Sequence, residues 1–132
     1  MGVRLLVCGG RDYKDAPTVY YTLNMQRRLN FGTIACLIHG GAKGADEMAG
    51  YWAERNEIPV KVYPAEWAKH GKKAGPVRNQ LMIDDGKPEY VIAFPGGRGT
   101  ADMVRRAKAA GIPVHEVSAG PVQQSFVENA HD

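Results

Sequence analysis

The sequence predicts an α/β fold, a Rossmann-like three-layer sandwich around a mainly parallel, five-stranded sheet. Three observations predict it. Five short apolar runs are continuous rather than alternating, the pattern of strands covered on both faces in a parallel sheet. Segments with apolar residues at helical spacing separate them, so strand and helix alternate along the chain. Glycine-bearing, charged loops follow the strands, whereas the loops that lead into strands are short and plain. In an open parallel sheet the first kind of loop gathers at the carboxyl edge, where ligands bind at the point of strand-order reversal.

The elements follow in order. The first strand is Val3–Cys8, closed by Gly9-Gly10-Arg11-Asp12. A helix over about residues 16–29 has Asp15 as N-cap, Pro17 in its first turn and Gly32 just past its end. The second strand, Ile34–His39, leads into Gly40-Gly41-Ala42-Lys43-Gly44 and a helix over 45–56. That helix has an apolar face of Ala45, Met48, Ala49, Trp52 and Ala53. A third strand at 60–63 precedes a long loop, 64–75, and a helix from near Pro76 that stops before Gly86. A fourth strand at 90–94 runs through Pro95-Gly96-Gly97-Arg98-Gly99-Thr100 into a helix over 101–110, ended by Gly111 with Pro113 beyond. The fifth strand is 114–117. Right-handed crossovers join the parallel strands. Residues 1–117 thus form one domain, and 118–132, with weak periodicity, read as a loose tail.

Composition narrows the function. The 132 residues are 44% apolar and 23% charged, as in a soluble domain with a real core. No apolar run approaches the roughly 20 residues of a membrane helix. The N-terminus has no signal-peptide pattern, so a cytoplasmic location is expected. A net charge of +3 favours small anionic partners and is too weak for a nucleic-acid footprint. Cys8 and Cys36 read as small core residues of two strands. No His/Cys/Asp cluster has metal-ligand spacing, so no metal site is expected. No cofactor is implied beyond an Mg²⁺ ion arriving with a phosphate.

Four loops carry the chemistry. Gly96, Gly97, Gly99 and Thr100, with Pro95 and Arg98, form a strand–loop–helix unit in which backbone amides approach an anion and the helix N-terminus adds partial positive charge. The alternative is a tight turn with Thr100 capping the helix. Gly40, Gly41, Lys43 and Gly44 form a second cradle. There Asp46 bonds either a ribose hydroxyl or a loop amide. Gly9 and Gly10 close the first strand beside Arg11, a fork for phosphate or carboxylate, while Asp12 is read as a turn organiser. The long loop brings Trp67, His70 and Arg78. Trp67 either stacks on a base or plugs the core. Arg78 is an anion ligand near a helix N-terminus. His70 and the carboxylates of Asp46 and Asp102 are the candidate acid–base groups.

The combination of His39-Gly40-Gly41-Ala42-Lys43-Gly44-Ala45-Asp46, Pro64-Ala65-Glu66-Trp67, Gly75-Pro76-Val77-Arg78-Asn79 and Ala93-Phe94-Pro95-Gly96-Gly97-Arg98-Gly99-Thr100-Ala101-Asp102-Met103 resembles the YspA-like branch of the SLOG superfamily, over roughly residues 3–117. The resemblance implies a Rossmann-like fold, a nucleotide-type ligand and a homodimer. The superfamily includes LOG-type phosphoribohydrolases and the DNA-binding recombination mediator DprA. LOG-type enzymes have a glutamate three residues after the Gly-Thr pair and an Arg-Lys pair upstream. Here Gly99-Thr100 and Arg78 match, but the glutamate position is Met103 and the lysine position is Asn79. A thioether can neither transfer a proton nor stabilise a developing cation.

Three function classes follow. The first is a module that binds a phosphorylated nucleotide or nucleotide-derived small molecule, as sensor or sequestering protein. The second is a nucleotide hydrolase of phosphoribohydrolase type. The third is a single-strand nucleic-acid binder, as in the DprA branch, against which the modest charge counts.

Overall fold

The structure, a computed structural model, describes residues 2–118. Apart from Ser118, the expected tail lies outside the described residues.

Five parallel strands form one sheet in the order β3-β2-β1-β4-β5: β1 (Val3–Cys8), β2 (Ile34–His39), β3 (Val60–Val62), β4 (Tyr90–Ala93) and β5 (Val114–Glu116). The chain therefore runs outward from β1 through β2 to β3, then returns to the other side of β1 for β4 and β5. The reversal lies between β1 and β4, where Leu5 pairs with Tyr90 and Cys8 with Ala93.

Five helices cover the sheet: α1 (Ala16–Gln26), α2 (Ala45–Arg55), α3 (Trp67–His70), α4 (Ala74–Asp84) and α5 (Arg98–Ala109). Side chains alternate along β1, so it feeds two cores. Leu5 and Val7 pack under α1 and α2 with Val19, Leu23, Ala49 and Trp52. Leu6 and Cys8 face α4 and α5 with Met82, Ile83, Met103 and Val104. Trp52 and Met103 are thus core residues; the Trp52 ring nitrogen donates to Asn24 Oδ1 at 2.9 Å.

Helix starts differ most from expectation. Asp15 caps α1 as expected: its carboxylate accepts from the Thr18 amide at 3.1 Å and the Thr18 hydroxyl at 2.6 Å. The end of α1 is shorter, because residues Arg27–Phe31 widen into a π turn before Gly32 at φ +66°. Most of the supposed long loop is helical, as α3 and a 3₁₀ turn (Gly71–Lys73) run into α4, with Pro76 inside its first turn. α5 begins three residues before the expected 101. Ala101 N–H donates to Gly97 O at 3.1 Å, so Arg98-Gly99-Thr100 is the first turn of the helix rather than a loop before it.

Candidate functional site

The loops that follow β1, β2 and β4 meet at the carboxyl edge. Gly10 is their hub. Its amide donates to Pro95 O at 2.9 Å, and its carbonyl accepts from Ala45 at 3.3 Å and Tyr13 at 3.1 Å. A Cβ on Gly44, whose φ is +78°, would stand 2.2 Å from Gly10 O, and one on Gly96 would stand 2.7 Å from Gly10 N. These glycines are needed because backbone passes backbone there. Around them opens a cleft of about 1340 Å³. It is lined by Gly9, Gly10, Arg11, Gly40, Gly41, Lys43, Asp46, Trp67, Arg78, Asn79 and the stretch from Pro95 to Met103. Of the residues singled out in the sequence, Gly44 and His70 do not line it. Gly44 shapes the loop from behind, and His70 sits at the end of α3.

The two glycine cradles differ. At the head of α5 the N-cap is Gly97, no side chain caps the helix and its first turn holds no acid. Thr100 is therefore not the cap; its hydroxyl points at Gly96. Among the described residues, nothing accepts from the amides of Gly97, Arg98, Gly99 or Thr100. A Cβ on Gly97 or Gly99 would meet nothing within 4 Å, and neither has a positive φ. The fold itself does not require glycine at either place.

The β2–α2 loop is already occupied by the protein's own groups. Asp46 Oδ2 accepts from the amides of Gly40 (3.0 Å) and Ala42 (3.3 Å). His39 Nδ1 accepts from Gly41 at 2.9 Å. Burial lowers the His39 pKa, so the ring is neutral with Nδ1 free to accept. Asp46 is buried, and burial pushes its carboxyl up to about 6 against the opposing pull of the two amides and the Arg78 guanidinium. Cys8, at the floor of the cleft, is pushed up to about 12 by burial and stays a thiol.

Neighbouring residues of α4 tie the walls together. Arg78 Nη1 donates to Gly40 O at 2.6 Å and Tyr63 O at 3.4 Å, while its Nε donates to Asn79 Oδ1 at 3.0 Å. Its Nη2 makes no hydrogen bond among the described residues. Asn79, 3% exposed, donates from Nδ2 to Gly99 O at 3.1 Å and Asp102 Oδ2 at 3.0 Å. Asn79 was not singled out from the sequence as a site residue. A short polar side chain beside Arg78 at a helix start was the available signal.

Asp102 lines the cleft but is committed. It accepts from Asn79, from Arg106 Nε at 2.8 Å and from Arg105. Burial raises its pKa, but the bonds from Arg106 and Asn79 outweigh this and hold it below the ordinary carboxylate value. It is a fixed anion rather than a proton donor. Trp67 is 60% exposed at the rim of the cleft, which removes the core-plug alternative. No group of three or more His, Cys, Asp or Glu among the described residues is placed to hold a metal ion, and no helix among them is long and apolar enough to cross a membrane.

Comparison with known proteins places this geometry. A model of the YspA, cpYpsA-related SLOG family, YAcAr, matches residues 3–70. Over 119 residues the chain is 40% identical to the Gene 61 protein of Mycobacterium phage D29, covering 84% of this chain and 93% of that protein. The crystal structure of UDP-GlcNAc 2-epimerase from Neisseria meningitidis bound to UDP-GlcNAc is similar in fold, with a TM-score of 0.56 at 18% identity over 89% of this chain. The match spans 32% of the epimerase chain, so the likeness is one of fold alone. With glycine loops, sheet order and sequence match in agreement, the chain belongs to the YspA, cpYpsA-related SLOG family.

Proposed function

We propose that this protein binds a phosphorylated nucleotide, or a small molecule built from one, and holds it unchanged as a sensor or sequestering module. The observation that carries this reading is the set of unpartnered amides of Gly97, Arg98, Gly99 and Thr100 at the head of α5, with no acid or side-chain cap in that turn and no Cβ on Gly97 or Gly99. A phosphate there takes several N–H donors and the partial positive charge of the helix. Arg11, Lys43 and Arg98 supply cations around it, and Arg78 Nη2 a further donor. The exposed face of Trp67 offers a platform for a base. The epimerase of similar fold is described with UDP-GlcNAc bound, and a nucleotide ligand here agrees with that. A Mg²⁺ ion enters this reading only as the companion of a phosphate.

The test is a thermal-shift screen against nucleoside mono-, di- and triphosphates, with chromatography of the recovered ligand. A ligand at about 100 times its Kd adds about 2.7 kcal/mol to stability. Gly97→Leu is expected to keep the melting temperature of the free protein and lose that shift, because a side chain there meets open cleft rather than protein. A Gly97→Leu protein that binds as well as wild type would sink the phosphate assignment.

A second reading, a nucleotide hydrolase, is favoured by one observation: Asp46, with its carboxyl pushed up to about 6, is poised for proton transfer near neutral pH. Released base or phosphate in the chromatogram would select it. Self-association is a separate part of the proposal. Val77 and Leu81, one turn apart on α4 and 41% and 49% exposed, give a second copy an apolar stripe to cover. Light scattering should then give twice the chain mass, and Leu81→Lys should return it to one.

A further inference from the structure

The β2–α2 loop has what the β4–α5 loop lacks, an acid inside it. Asp46 is 5% exposed. Its Oδ2 is taken by the amides of Gly40 and Ala42. Its Oδ1 makes no hydrogen bond among the described residues, yet every fully enclosed side-chain oxygen and nitrogen among them has a partner. Oδ1 is therefore open, and the opening is the cleft that Asp46 lines. A carboxylate oxygen at that point repels a phosphate and accepts from a hydroxyl.

Its position relative to the free amides of α5 is also defined. β1 alone lies between β2 and β4, so the two loops face each other across one strand, about 10 Å from one side to the other. Contact is continuous between them: Gly9 packs on Ala45, next to Asp46, and Gly10 packs on Gly96. One sugar phosphate bridges such a gap, with its phosphate on the amides and its ring hydroxyls toward Asp46.

We infer that Asp46 Oδ1 accepts from the ribose hydroxyls of the ligand, so that the site takes ribonucleotides and rejects their deoxy counterparts. This rests on the nucleotide reading above. Loss of one bond to a buried charged acceptor weakens binding about tenfold or more.

The experiment measures the affinity of the whole chain for the 5′-monophosphates of adenosine, guanosine, cytidine and uridine, each beside its 2′-deoxy and 3′-deoxy forms. The expected result is at least a tenfold preference for the ribo form of whichever base binds, and collapse of that preference in Asp46→Asn. Equal binding of ribo and deoxy forms overturns the inference while the nucleotide reading stands. A preference that persists in Asp46→Asn overturns the assignment to Asp46. If no nucleotide binds, the nucleotide reading falls and this inference with it. The wild-type comparison decides the inference even if the variant does not fold.

Discussion

Gly44→Ala should lower stability by roughly 3–5 kcal/mol, while Gly97→Ala, in an equally glycine-rich loop, should stay within about 1 kcal/mol of wild type. The difference comes from what each Cβ would meet. At Gly44 it would stand 2.2 Å from Gly10 O and 2.7 Å from Arg11 O, both backbone atoms, at a φ of +78°. The left-handed backbone alone costs a residue with a Cβ about 1–2 kcal/mol. Relief of the clash must separate the β1 and β2 loops, and with them the Ala45-to-Gly10 bond. At about 4 °C per kcal/mol the midpoint should fall by roughly 12–20 °C. At Gly97 nothing lies within 4 Å and φ is −97°. Thermal unfolding of the two variants checks this. Equal losses would mean that Gly97, like Gly44, is there for the fold, and would remove the main support for a phosphate at α5.

The second large effect is electrostatic. Asp46 holds its proton more tightly in the folded chain than in the unfolded one, with a pKa of about 6 against an ordinary 3.8. A carboxyl raised in this direction contributes stability that is complete below the unfolded value and disappears as pH climbs through the folded one. A shift of about two units corresponds to a loss on the order of 3 kcal/mol between pH 4 and pH 7. Asp46→Asn keeps an oxygen to accept from Gly40 and Ala42 but has no charge to bury. The stability difference between wild type and variant should therefore move by about that amount in the variant's favour across the same interval, as measured by urea unfolding at pH 4 and pH 7. Other groups that titrate there, His39 and Asp102 with opposite sign among them, are present in both proteins and cancel in the difference. A pH-independent difference would show that Asp46 is not under desolvation strain.

The sheet was legible because its central strands are built on apolar runs, Leu5–Cys8, Ile34–Ile38 and Tyr90–Ala93, and the short edge strands Val60–Val62 and Val114–Glu116 carry valines between helices; Asp15 marked the start of α1 outright. What stayed hidden was how polar groups divide their bonds. Glycine spacing alone makes the β2 and β4 loops look alike. Only the folded chain reveals that Asp46 fills the first and that the second is empty. Asp102 was legible as a carboxylate in the right place, yet its three partners come from residues 79, 105 and 106, and sequence does not say which will reach it. Asn79 escaped notice because its importance lies in what stands opposite, Gly99 O and Asp102, brought there by the packing of α4 on α5. Helix starts at Ala74 and Arg98 were missed for a simpler reason: their N-caps, Lys73 and Gly97, make no side-chain capping bond and leave no mark of where the helix begins.

The Arg78–Asn79 pair gives the cleft a mechanical character. Two adjacent side chains on one turn of α4 grip opposite walls, Arg78 the carbonyls after β2 and β3 and Asn79 the first turn of α5. The walls are therefore tied twice, through the backbone bonds that meet at Gly10 and through this pair on α4. A load on α4 would therefore be felt at both walls at once, because each is bonded to it.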